Sequence, residues 1–131
     1  MAIRIVQLGS ARHPAEGLRI GTVRRPPRGV PKSEFAKRDF YDTWLPQLSP
    51  SLELMKKGLA AQKSGDTKMW DAFERSFRAQ MRQPEAARTL DLLAALSHQT
   101  NFSLGCYCKD ERQCHRSVLR GLLAERKAAL T

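Results

Sequence analysis

Long apolar runs are missing from this sequence of 131 residues. No segment approaches the roughly 20 apolar residues that a membrane span requires. Arg4 interrupts the one early candidate, Ile3 to Leu8, so no signal-peptide core is read and the cytosol is the expected compartment. Cysteine is scarce: there are three, and an odd number of thiols without an export signal argues against a disulfide framework. Acidic residues are few, 13 against 23 Lys and Arg, which leaves a net charge of +10. There is no internal repeat and no low-complexity tail. With 41% apolar residues a chain of this length can bury a core, so it needs neither disulfides nor a structural metal to fold, and no cofactor is expected.

The charge is unevenly spread. Residues 1–38 carry nine Lys or Arg and two acids, 39–99 carry eight of each, and 100–131 carry six basic and three acidic residues. The excess sits at the two ends of the chain. If those ends meet, they form a positive surface suited to a phosphate-bearing small molecule or a nucleic acid. A solubility charge is the plain alternative.

Ala2 to Leu8 reads as a strand, and Arg19 to Arg24 as a second that stops at Pro26-Pro27. The aromatic-rich stretch from Phe35 to Leu45 reads as a short helix and loop. Beside Arg24, Arg25 and Arg28 those rings could instead stack bases. A helix is expected from the Ser49-Pro50 start to Gln62, closed by Ser64-Gly65. Asp66 caps a second helix with a core stripe of Trp70, Phe73, Phe77 and Met81. Pro84 opens a third, running to about Ser97, with His98 near its end as a dipole partner. Asn101 to Cys108 reads as a third strand with Cys106 and Cys108 on one face. A last helix follows from about Cys114 to Ala128. The expected fold is therefore a single α/β domain over 1–131, with a small, mostly parallel sheet of three to four strands flanked by helices. In such sheets ligands gather at the C-terminal strand ends, where the Arg24–Arg28 segment, the Cys108–Arg116 segment and the last helix start would meet.

The stretch Cys-Tyr-Cys-Lys-Asp-Glu-Arg-Gln-Cys-His-Arg, residues 106–116, is the one that could carry chemistry. Three uses compete. A metal site is disfavoured, because Cys106 and Cys108 in an extended strand would stand about 7 Å apart at the backbone, whereas zinc needs sulfurs about 3.8 Å apart. A reactive thiol is the second use. Cys108 at a strand end or Cys114 at a helix N-terminus would be activated by local positive charge, with His115 carrying the proton. Cys106 and Arg112 also have the spacing of a phosphate-cradling loop, and the strand–loop–helix order distantly resembles rhodanese sulfurtransferases, but the loop lacks glycine. The third use is anion binding without chemistry, with Arg24, Arg28, Arg112, His115 and Arg116 clamping a phosphate. The bland alternative makes Cys106 a small buried hydrophobe and Asp110 with Gln113 a capping box.

Gly17-Leu18-Arg19-Ile20, Arg24 and Pro27-Arg28-Gly29 resemble the YeaO-like proteins of the uncharacterised DUF488 family, and Cys114-His115-Arg116 after a strand resembles the Cys-His-Arg motif of other branches of that family. The likeness runs from about residue 3 to residue 126. It implies a compact bacterial α/β domain without an established activity. Val23 and Pro26 depart from the YeaO-like pattern, which places an aspartate and a tryptophan there. Binding of a phosphate-bearing ligand is the leading expectation; a cysteine-dependent transferase or hydrolase, and a nucleic-acid or protein interaction module, are the alternatives.

Overall fold

A computed structural model describes residues 1–131. Four strands, β1 (Ile3–Gln7), β2 (Leu18–Gly21), β3 (Thr43–Trp44) and β4 (Phe102–Cys106), form one parallel sheet in the order β1-β4-β2-β3. Four helices, α1 (Leu52–Ser64), α2 (Thr67–Met81), α3 (Pro84–Leu96) and α4 (His115–Glu125), complete the α/β fold. The last long strand lies in the middle, paired with β1 from Ile3↔Phe102 to Gln7↔Cys106 and with β2 from Leu18↔Phe102 to Gly21↔Gly105. All five residues of β4 are buried, as a strand paired on both edges requires.

Side-chain alternation divides the sheet. Ile3, Ile20, Phe102 and Leu104 join Phe77, Leu90, Leu119 and Leu123 of the helices in one apolar cluster. Arg19 and Ser103, one residue out of step, face the other way and meet Glu16. Arg19 is fully buried and donates two hydrogen bonds to the Glu16 carboxylate (2.6 and 2.9 Å). It also donates to the carbonyls of Ser10 (2.9 Å) and Asp39 (2.6 Å). This guanidinium fastens the loops after β1 and before β3 onto the sheet.

Several element boundaries differ from expectation. β2 ends at Gly21, because the Thr22 backbone N–H still reaches Gly105 but no pairing follows before the two prolines. The aromatic stretch supplies β3 and no α-helix, and single turns of 3₁₀ helix, Lys32–Glu34 and Pro46–Leu48, flank it. Two paired residues leave too little pattern for a strand to be read from sequence. Ser51, not Ser49, caps α1, accepting from the Leu54 N–H. Asp66 caps α2, accepting from the Lys68 N–H. Asp110 caps only a 3₁₀ turn, Glu111–Gln113, and α4 begins afterwards at His115, so the Asp110–Gln113 capping box is absent. His98 bonds the Lys127 carbonyl (2.9 Å).

Gly17 leads into β2 with φ +76, and its backbone passes so close to the Asn101 carbonyl that any Cβ would strike it. Both the left-handed conformation and the clash oppose a side chain. Gly17→Ala is therefore expected to cost about 3 kcal/mol or more, read as a fall in the urea midpoint. An unchanged midpoint would mean that β2 does not enter the sheet this way. No helix is long and apolar enough to cross a membrane.

Candidate functional site

β2 and β4 run side by side and end together, so Thr22–Arg24 and Tyr107–Cys108 leave the same edge of the sheet. α1 and α2 stand over that edge. Between them lies a cavity of about 310 Å³, walled by Met55, Leu59, Trp70 and Phe73 and reached by Cys106, Cys108 and His115. Gly58 allows α1 to lie against the Phe73 ring, which a Cβ would contact at 3.0 Å. The lining includes no Asp or Glu. Gln62 joins it from α1, and Arg24 and Arg25 from the chain after β2.

The three thiols are free and close together. β4 stops at Cys106 and the chain bends at Tyr107, which brings the Cys106 and Cys108 sulfurs to 3.9 Å. The extended-strand separation that spoke against a shared role for these two cysteines is thus not present. Donor atoms of Cys106, Cys114 and His115 all lie within 4.8 Å of one another. Cys106 and Cys114 are buried, while Cys108 is half-buried and lines the cavity. A cluster of touching thiols holds one negative charge more readily than several. Cys108 carries it: hydrogen bonding from Cys106, then from Cys114, holds its thiol well below the usual range, against the opposing effect of burial, and the Gln62 amide adds a further N–H donor at 3.8 Å. Cys106 is pushed up by the same hydrogen bonds and by burial. Cys114 is raised to about 11: bonding from Cys106 lowers it, and the Cys108 contact and burial outweigh that.

His115 opens α4 and is held at both ring nitrogens. Nε2 lies 2.6 Å from the Thr22 carbonyl, which can only accept, so Nε2 bears the proton. Nδ1 then faces the Cys114 sulfur at 3.8 Å as a lone pair. Thr22 in turn donates its hydroxyl to Gly105 O (3.0 Å). Burial lowers the His115 pKa to about 4, which keeps the ring neutral. Of the two thiols for which it is the expected proton carrier, Cys108 and Cys114, the second is its sulfur partner.

The arginines divide. Arg24 lines the cavity, with its guanidinium donating to Pro50 O (3.1 Å) and Ser49 O (3.3 Å), which also ties the start of α1 to the chain after β2. Arg116 is buried and donates to Cys108 O (2.6 Å), so it positions the thiol-bearing turn rather than lining the cavity. Arg28, beside the tight turn at Gly29, and Arg112, in the 3₁₀ turn, are exposed and away from the cavity. The four arginines therefore do not meet: of them Arg24 alone lines the cavity, Arg116 is buried, and Arg28 and Arg112 are exposed on the turns at 28–29 and 111–113. Thr22 and Gln62 are site residues that the sequence reading missed. Nothing marks Gln62 among the polar positions of an amphipathic helix, whereas a threonine directly after a strand was a usable signal.

A family model described as the active DUF488-N3 subclade matches residues 3–127. This chain belongs to the DUF488 family. Neither curated proteins nor solved structures gave a match. The DUF488 fold here places its Cys-His-Arg element at the sheet edge where β2 and β4 end, with the histidine and arginine buried and bonded to backbone carbonyls, while Arg116 Nε is left without a partner.

Two buried groups, together with the Cys108 thiol, shape the acid response of this fold. The His115 pKa falls from 6.5 to about 4, so the neutral ring favours the folded state above 6.5 and that stability is lost as pH falls toward 4. Burial opposes the Glu16 carboxylate, yet its bonds from Arg19 and Ser103 bring it from 4.5 to about 2, and this stability is lost as pH falls below 4.5. Both losses run in one direction. Cys108, held ionised well below its ordinary range, adds a stability that is lost as pH falls below about 8.5. The urea midpoint is therefore expected to decline from pH 8 downward, more steeply below 6.5 and again below 4.5. His115→Gln should remove only the steepening below 6.5. A midpoint that rises from pH 7 to pH 5 would contradict a neutral buried His115.

Proposed function

We propose that this protein is a cysteine-dependent group-transfer enzyme with Cys108 as its nucleophile. One observation carries the reading: a half-buried sulfur at the bottom of an apolar cavity, with hydrogen bonds converging on it from Cys106 and Gln62. A thiolate is the attacking species, and donors that stabilise it make attack possible at neutral pH. Arg116 fixes the backbone at Cys108, and Thr22 fixes His115 beside the cluster. The description of the matched subclade as active agrees with a catalytic use.

The substrate that fits has an apolar or aromatic body and an acidic end. Trp70, Phe73 and Leu59 offer the first surface, and Arg24 with Arg25 the counter-charge for a phosphate or carboxylate. The test is site mapping with limiting iodoacetamide at pH 6, followed by peptide mass analysis of the folded protein. Nearly all label should reside on Cys108. Even labelling of the three cysteines, or preference for Cys114, would overturn the assignment.

A further inference from the structure

Building on that assignment, we propose that Cys106 is the resolving thiol of Cys108, so that the electrophile this site takes is a disulfide with an aromatic or otherwise apolar body. The two sulfurs are 3.9 Å apart, with the Cys106 S–H directed at Cys108. Cys106 lies at the last position of β4 and is buried, whereas Cys108, just past the bend that follows, is half-buried. Both line the cavity; Cys108 is the more accessible of the two, and Cys106 stands beside any adduct formed on it. Cys114 is less suited. It is 1% exposed, and its sulfur faces His115 Nδ1.

Hydrolysis of an acyl adduct would need a base to activate water. The cavity offers none: its lining contains no carboxylate, and both nitrogens of its one imidazole are engaged, Nε2 by Thr22 O and Nδ1 facing Cys114. A second thiol in contact needs no water. The steps balance as thiol–disulfide exchange. The Cys108 thiolate attacks one sulfur of R–S–S–R′, that S–S bond breaks, and R′–S⁻ leaves and takes a proton from solvent. Once Cys108 is in the mixed disulfide, its thiolate no longer holds the Cys106 proton; Cys106 gives that proton to solvent, its thiolate attacks the Cys108 sulfur, the mixed S–S bond breaks, and R–S⁻ leaves and takes a proton from solvent. The substrate disulfide gains two electrons, and the Cys106–Cys108 pair loses them. An external dithiol returns the pair to the reduced state.

The experiment uses a diaryl disulfide carrying carboxylates, in slight deficit over the reduced full-length protein. Wild type should release about two aryl thiols per disulfide consumed and retain no adduct. Trypsin cuts after Arg88, Lys109, Arg112 and Arg116, so the product should be an internal disulfide within peptide 89–109, separate from peptide 113–116 that holds Cys114. Cys106→Ala should release one aryl thiol and keep a mixed disulfide on Cys108 that lasts at least about ten-fold longer than in wild type. Cys114→Ala should behave as wild type. A persistent Cys108 adduct in the wild type, or a bridge from peptide 89–109 to peptide 113–116, overturns the role of Cys106 while leaving Cys108 as the nucleophile. Absence of any reaction at Cys108 overturns both readings. If Cys106→Ala does not fold, the wild-type peptide map alone decides.

Discussion

Arg19→Met is expected to destabilise the fold by about 3–5 kcal/mol, the largest loss among single replacements outside the apolar core. The reason is the company Arg19 keeps. Its side chain is fully buried, and four hydrogen bonds tie it to Glu16, Ser10 and Asp39. Methionine fills much of the volume but leaves a buried carboxylate without its counter-charge and the Ser10 carbonyl without its donor, while Asp39 O keeps only the Gly9 N–H. Leaving a charge buried without its partner costs far more than the pair itself contributes. The double replacement Arg19→Met with Glu16→Leu should therefore be more stable than Arg19→Met alone. It should still fall short of the parent, because Ser10 O and the Ser103 hydroxyl lose their partners and Asp39 O keeps only the Gly9 N–H. Arg19→Lys should lie between, since one ammonium cannot fork onto a carboxylate and also reach two carbonyls. Urea midpoints rank the three. A double variant no better than the single would mean that the carbonyl contacts, and not the buried charge, dominate the loss.

The same residue shows where sequence reading reached its limit. Counted along the chain, Arg19 is one of nine basic residues in the first 38 and belongs to a positive surface. In the fold it is internal. Arg12 nearby is paired with Asp42 (2.8 Å) and Asp39 (3.3 Å), acids that fall in the neutral middle of the chain. Segment charge cannot see pairs made between segments. Patterns local in sequence were legible for the opposite reason. The α2 stripe of Phe73, Phe77 and Met81, the cap at Asp66 and the opening of α3 at Pro84 depend on spacings within one turn or two of helix. The convergence of the Arg24 and Cys108 segments at one sheet edge followed from parallel topology alone, and both line one cavity. The position of β4 between β1 and β2 was not legible, because nothing in an apolar strand states its neighbours. The contact of Cys106 with Cys108 was also hidden, since it turns on where β4 stops. A reading that carried the strand on to Cys108 kept the two sulfurs apart.

The second large effect is on reactivity. Alkylation of Cys108 by iodoacetamide is expected to keep nearly the same rate from pH 9 down to pH 5. An ordinary thiol, with pKa about 8.5, loses about ten-fold for each pH unit below it and is ionised to only about one part in 3,000 at pH 5. The low basicity that keeps Cys108 ionised also weakens its attack, with a Brønsted slope of about 0.4–0.5, so the absolute rate at pH 8 need not exceed that of a free thiol. The shape of the profile is what distinguishes the two. Cys108→Ser should abolish the level part and leave slow labelling that rises with pH, because the remaining thiols are buried and raised. Removing the donors should bring the inflection back into view from the acid side. Hydrogen bonding from Cys106 contributes most to holding Cys108 ionised and the Gln62 amide contributes less, so Cys106→Ala should move the inflection further upward than Gln62→Leu. The opposite order would place the shared charge of the cluster on a sulfur other than Cys108, and the nucleophile would have to be reassigned with it.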